Sequence, residues 1–280
     1  MLKEVRIKSK YDDLKEGLFY VTDDLRLLKK MQAAGEAVAA VLTTENRDED
    51  FSGVPYAVER IEELEEEDWE RLYRRLVHLP WYIAETYRCR IREMTEADLD
   101  RLYEIYADAE ITRYMEPLFE DRDEERHYIG DYRRCVYEFY GYGMWVIEEK
   151  ASGQVIGRAG VEAKRIECGE AAEEEGQDGK VTGGQDNKEA DGQGGREESG
   201  SETWEEVLEL GYMVAASWQR QGIAYEVCGA VLDYVRQEIG SVSVTARSLP
   251  DNLPSVRLLS KLGFQKRKRS GSYLVYEKRV

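Results

Sequence analysis

The sequence is poor in histidine, with two residues (His78, His127), and in cysteine, with four (Cys89, Cys135, Cys168, Cys228) among 280. No two cysteines form a C-x-x-C pair, so neither a zinc centre nor a disulfide framework is expected, and the expected metal content is none. Cysteines used mainly as small apolar fillers fit a reducing, cytoplasmic setting. Long apolar runs are also missing. Residues 37–42 form one of the longer ones, far below the roughly 20 residues that span a bilayer. The first residues, MLKEVRIKSKYDDLKEG, hold no apolar core, so no secretory signal is expected there. Positive charge is scarce: 40 Lys and Arg face 58 Asp and Glu, a formal net charge of −18. That deficit argues against non-specific nucleic-acid binding and against anionic lipid. The expected partners are neutral or cationic, with no nucleic acid and no membrane.

The deficit is concentrated. Residues 166–206 hold fourteen acids and three bases, which is −11 and leaves −7 for all the rest. Within it, residues 167–201 have almost no large apolar side chain and no periodicity. Ordering each residue costs roughly 1–2 kcal/mol, and such a composition offers no burial to offset it. A disordered acidic insertion inside a loop is the expectation.

The remainder, with 42% apolar residues over the whole chain, is enough for a substantial core and reads as two units. In the first, residues 17–21 (GLFYV) read as a buried strand and residues 25–31 as a helix that Gly35 stops. Residues 37–42 read as a second strand, 56–58 as a third, and 65–77 as a helix with Trp69, Leu72, Tyr73 and Leu76 on one face. This β-α-β-(β)-α run over residues 1–84 is expected to be a small Rossmann-like α/β domain. Its expected role is scaffold, homodimer surface or ligand sensor. The second unit spans 87–280. A strand at 89–92 and a helix opened by Thr95 come first. A helix over 121–140 follows, with Tyr128, Tyr132, Val136 and Phe139 on one side. A hairpin over 144–162 precedes the insertion. A strand at 204–214, a turn, a helix over 224–238, a strand at 241–246, a short helix at 255–261 and a closing hairpin around Ser270-Gly271 complete it.

The turn Gln219-Arg220-Gln221-Gly222-Ile223-Ala224 carries the chemistry. A strand that feeds a glycine-containing turn at a helix N-terminus makes an anion site, because several amides point one way and the helix dipole is positive there. Gly222 allows close backbone approach. The turn lacks the Lys-Ser/Thr of a P-loop and the three-glycine dinucleotide fingerprint.

In context it resembles a family. The turn after Leu210-Gly211-Tyr212-Met213-Val214 resembles the acetyl-CoA signature of the GNAT acetyltransferases. Asn252-Leu253-Pro254-Ser255, Leu258 and Lys261-Leu262-Gly263-Phe264 resemble that family's second cofactor segment. Residues 90–98 (RIREMTEAD) resemble the opening of its ribosomal-protein N-acetyltransferase-like branch. The resemblance implies an α+β fold: a mixed, twisted sheet flanked by helices and splayed between strands 208–214 and 242–246. It implies acetyl-CoA as co-substrate, with pantetheine pairing to Met213 and Val214 and pyrophosphate on Gln221, Gly222, Ile223 and Ala224. Gln219 and Arg220 would lie nearby, and Asn252 and Ser255 at the pantetheine or sulfur end. The implied reaction is N-acetylation of a primary amine, a protein N-terminus or a small-molecule amine, by direct attack in a ternary complex. The alternative is a CoA-binding regulatory protein without turnover.

An alkylammonium loses its proton at a cost of about 4–5 kcal/mol at pH 7, so a base is needed. Glu209 is the first candidate, ahead of Glu205 and Glu206. Many members of the family have a thiolate-protonating Tyr where this chain has Leu259, so Ser255 or Tyr212 is the candidate acid. Residues 113–116 are expected to shape acceptor choice. The cluster Tyr137, Phe139, Tyr140, Tyr142 and Trp145 is read as core packing ahead of an acceptor wall. Lys266-Arg267-Lys268-Arg269 is read as a solvated hairpin end.

Overall fold

The computed structural model describes residues 1–11, 13–14, 16–168 and 203–280. Among them no helix is long and apolar enough to cross a membrane.

The N-terminal unit is built on a four-stranded sheet in chain order: β1 (Leu2–Ile7), β2 (Gly17–Thr22), β3 (Val38–Val41) and β4 (Ala57–Val58). β1 is antiparallel to β2, while β2, β3 and β4 run parallel. Helix α1 (Leu25–Ala33) packs Leu25 and Leu28 against Val38 and Ala40. Helix α2 (Glu66–Leu76) packs Trp69 and Leu72 against Ala39 and Val41. Alternation along β3 thus sends its side chains to two helices on opposite faces, and all four residues are buried. Gly35 closes α1 at φ +79°. β1 was not expected: only Val5 and Ile7 alternate inward, too short a pattern to register.

The second sheet has eight strands: β5 (Tyr82–Glu85), β6 (Cys89–Arg92), β7 (Met144–Glu149), β8 (Val155–Cys168), β9 (Thr203–Val214), β10 (Ser243–Ser248), β11 (Gln265–Ser270) and β12 (Tyr273–Arg279). Their order is β11-β12-β10-β9-β8-β7-β6-β5, mixed because β9 and β10 are parallel. β5 belongs to this sheet, so the larger unit reaches back across the expected boundary at 84. Helices α3 (Leu99–Tyr106), α4 (Ala109–Thr112), α5 (Arg122–Tyr132) and α6 (Glu138–Tyr140) come between β6 and β7. Helix α7 (Ile223–Tyr234) follows β9, and α8 (Leu253–Lys261) follows β10. On β8, Arg158 and Glu162 face α3 and α5 through Tyr106 and Tyr132. The opposite face carries Trp145, whose ring meets Tyr234 near the end of α7.

Two expectations change. Between α5 and α6 the chain makes a π-turn over Arg133–Tyr137. Its wider turn shifts the later side chains by one position. Before it, Ile129 and Tyr132 are buried and Tyr128 is exposed; at its end Tyr137 is buried, and past it Phe139 is 77% exposed. The aromatic cluster splits accordingly: Tyr137 and Trp145 are core, Phe139 and Tyr140 are outside. The first two residues of the stretch read as an acidic insertion are strand. Glu167 and Cys168 still pair with Trp204 and Thr203, and the rest of the stretch lies outside the described residues. Cys89 and Cys228 are buried fillers as read, but Cys135 is exposed.

The two units are locked by buried charge. Arg75 of α2 donates to Glu93 at 2.9 Å and to the Tyr137 carbonyl at 3.3 Å. Glu93 also accepts from the Trp81 amide at 3.1 Å. Tyr56 donates to Glu138 at 2.7 Å.

Candidate active site

β9 and β10 are paired only at Leu208–Val244 and Glu209–Thr245. β9 continues to Val214 on one side, and β10 runs on against β12 as far as Ser248. Among the described residues, the β10-facing edge of β9 therefore has no strand partner from Leu210 onward. Unpaired N–H and C=O groups on such an edge accept an extended, amide-bearing chain. Met213 and Val214 lie there, both buried. One group is already committed: the Val214 carbonyl accepts from Gln219 Nε2 at 2.9 Å.

The turn is built from left-handed backbone. Arg220 has φ +59° and Gly222 φ +80°. Gly222 is the N-cap of α7, with no side-chain cap bond, so the first amides of the helix, at Ile223 and Ala224, keep their donors free for an anion. Ile223 is buried and anchors the turn. Gln221 Nε2 donates to the Ser217 carbonyl at 3.0 Å. The Arg220 side chain is exposed at the rim.

Arg88 was missed by sequence reasoning. Its Nη1 donates to the Gln221 carbonyl at 2.7 Å, and its amide and Nε each donate to Glu226 at 2.8 Å. Its Nη2 is 3.7 Å from where a Gly222 Cβ would stand. Burial opposes the charged form of Glu226, but hydrogen bonds from Thr86 and Arg88 outweigh it and hold the carboxyl below its usual range. Arg88 is 138 residues from Glu226, so no local signal joins them.

The residues expected to react flank the opening on opposite faces. Glu209 stands across from Glu162, on the α5 side, whereas Tyr212 stands across from Ala159, on the α7 side. Three residues along a strand reverse the face. Glu209 is held by a fork from Arg247, Nε at 2.5 Å and Nη2 at 3.0 Å. Glu206 is exposed; the side chain of Glu205 is outside the described part. Tyr212 Oη and Ser255 Oγ are 2.9 Å apart. Burial pushes the Tyr212 phenol well up, more than the bond to Ser255 pulls it down. Asn252 caps α8 by accepting from the Ser255 amide at 3.2 Å, which fixes Ser255 beside Tyr212. Leu259 is fully buried in the core. Two carboxylates thus share the α5 side: Glu162, which accepts from Tyr132 at 2.7 Å, and Glu209. The 113–116 loop closes over this side. Arg113 pairs with Asp251 at 2.7 Å, and Glu116 lies close enough to Arg247 and Tyr128 to act on their charges. Lys266, Arg267, Lys268 and Arg269 are exposed on β11, and among the described residues no group of three potential ligands is placed to hold a metal.

Comparison with known proteins finds relatives over most of the chain. The uncharacterized protein YkkB of Bacillus subtilis strain 168 is 25% identical over 199 residues, 69% of this chain and 94% of its own. The uncharacterized N-acetyltransferase YoaA of the same organism is 26% identical over 186 residues, 66% of this chain and 83% of its own. A solved structure, a putative GnaT-family acetyltransferase from Bordetella pertussis, is 20% identical, with TM-score 0.48, covering 71% of this chain and 99% of that one. Residues 88–265 match the model of the acetyltransferase (GNAT) domain. That match takes in the splay, the left-handed turn and α8, and the chain accordingly belongs to the GNAT acetyltransferases, an acyltransferase family.

Proposed function

We propose that this chain transfers an acetyl group from acetyl-CoA to a primary amine by direct attack in a ternary complex. The observation that carries the reading is the splay of β9 from β10 after two paired residues, beside a helix whose first amides are uncapped. Together they supply an open strand edge for pantetheine amides and a ring of donors for the pyrophosphate. Met213 and Val214 offer the edge; Gln221, Gly222, Ile223 and Ala224 offer the amides; Arg220 reaches the phosphates from the rim. Acetyl-CoA supplies the thioester that the amine attacks.

Glu209 takes the proton of the incoming ammonium, directly or through water, and Arg247 holds its carboxylate in place meanwhile. Tyr212 keeps its proton at neutral pH because burial disfavours the phenolate. With Ser255 hydrogen-bonded to it, Tyr212 protonates the departing thiolate in place of the tyrosine that Leu259 replaces. The carboxylates Glu162, Glu209 and Glu116 favour a cationic amine at the entrance. The N-terminal unit, with its parallel β2-β3-β4 run, acts as a Rossmann-like accessory domain that supports this wall through Arg75.

Thiol release measured with a panel of amines tests the reading. Glu209→Gln is expected to lower kcat at neutral pH by about 100-fold and less at high pH, where the amine is already deprotonated. CoA binding without thiol release for any amine, N-terminal peptides included, selects the non-catalytic alternative.

A further inference from the structure

Arg158 sits on the acceptor side of β8, on the face that carries Glu162. Across the sheet it stands between Val146 of β7 and Met213 of β9, so it adjoins the open edge where the thioester is placed. Its surroundings are tyrosines. Nη1 donates to Tyr106 at 3.3 Å, and Tyr128, Tyr132 and Tyr137 are close enough to interact with its charge. Two of these hydroxyls are engaged elsewhere. Tyr132 donates to Glu162 and accepts from the Met144 amide. Tyr137 donates to the Met144 carbonyl and accepts from the Met94 amide. Burial keeps both as neutral phenols, so neither is a counter-ion. Among the described residues no carboxylate pairs with Arg158, and its Nε is buried without a hydrogen-bond partner. The residue as a whole keeps some exposure, while its guanidinium lies deeply buried among these rings.

A cation taken out of water without an anion is costly unless a ligand supplies one. The unpaired Nε belongs to the side of the guanidinium fork that binds a carboxylate in two-point fashion. Glu162 lies four residues along the same strand, roughly 13 Å away at the Cα atoms, and it is occupied by Tyr132 and Lys164.

We propose that Arg158 recognises an anionic group on the acceptor, so that the favoured acceptor is an amine that also carries a carboxylate. The amine points toward Glu162 and Glu209, and the carboxylate lies on Arg158. This rests on the acetyl-transfer reading above. A free amino acid with well-separated ends and a peptide N-terminus followed by an acidic residue present the same chemistry.

The test uses the full chain and two matched probe sets: ω-amino carboxylic acids of three to six carbons against n-alkylamines of equal length, and short peptides with Glu against Lys at the second position. The wild type is expected to favour the carboxylate-bearing member of at least one set by about 10- to 100-fold in kcat/KM. Arg158→Gln is expected to collapse that ratio through KM for the acids, with CoA affinity and melting temperature reporting an intact fold. Arg158→Lys keeps the charge but not the fork and is expected to lose about tenfold of the ratio; it decides the matter if the glutamine variant does not fold. Amines turned over with no carboxylate preference, or a preference unchanged in the variants, overturn this inference alone. CoA binding with no thiol release from any probe overturns the acetyl-transfer reading, and this inference with it.

Discussion

Gly222 is the position where backbone geometry and the proposed ligand charge meet most directly. At φ +80° an added Cβ is strained, yet it meets only Arg88 Nη2, at 3.7 Å. Gly222→Ala therefore isolates strain, about 1–2 kcal/mol for an L-residue in the left-handed region. That corresponds to a loss of a few degrees in Tm. Gly222→Glu adds a carboxylate where the pyrophosphate is placed. At about 6 Å and an effective dielectric near 20, each unit of like charge costs about 3 kcal/mol. Arg88 offsets part of this, although its amide, Nε and Nη2 are already on Glu226. The expected result is a CoA Kd raised by about 100-fold or more for Gly222→Glu, with a smaller effect at high salt. Gly222→Lys bears the same strain with the opposite charge and should bind CoA better than the glutamate variant. Isothermal titration with CoA decides it. A Gly222→Glu protein within threefold of wild type, or Glu and Lys variants weakened alike, would refute the placement of the pyrophosphate.

Three further outcomes are expected. Tyr212→Phe should lower kcat by about 100-fold with little change in KM for acetyl-CoA, and adding Ser255→Ala should cost less than the two single effects combined, as a mutant cycle on the 2.9 Å pair will show. Glu226 is held below its usual pKa, so its contribution is full above the unfolded carboxyl value, near 4.5, and fades as pH falls through the folded value. The melting-temperature gap between wild type and Glu226→Gln should accordingly be open at pH 7 and close in strong acid; a gap independent of pH contradicts the Arg88 clamp. Arg75→Met strands Glu93 in a buried site, 2.9 Å from where the guanidinium was, and should destabilise the chain by about 3–5 kcal/mol. Adding Glu93→Gln should restore part of that in thermal denaturation, since the glutamine oxygen still accepts from the Trp81 amide.

The elements that position the site were legible because each rests on a local rule. The strand ending at Val214, the glycine turn and the helix opening at Ile223 are contiguous, and Gly222 is a residue that suits the left-handed conformation found there. Asn252 three residues before Ser255 is a cap spacing. Departures arose where a rule assumes regular geometry. The expected face through Val136 and Phe139 presumes 3.6 residues per turn, and the π-turn at Arg133–Tyr137 breaks it. The expected start of the insertion presumes that a polar strand end is a loop, whereas β8 and β9 keep pairing to Cys168 and Thr203.

The sequence by itself determined the family, the glycine turn that opens α7, the layered α/β unit at the N-terminus and the residues around Tyr212, because propensity, capping and hydrophobic period act between near neighbours. Only the tertiary structure decided what those residues meet. It put Arg88 under the turn, Arg247 on Glu209, Tyr212 and Glu209 on opposite faces of one strand, and Arg158 among tyrosines. These partners are brought together by sheet order and register across long stretches of chain. Such pairings follow from the packing of the whole sheet, and no spacing in the sequence encodes them.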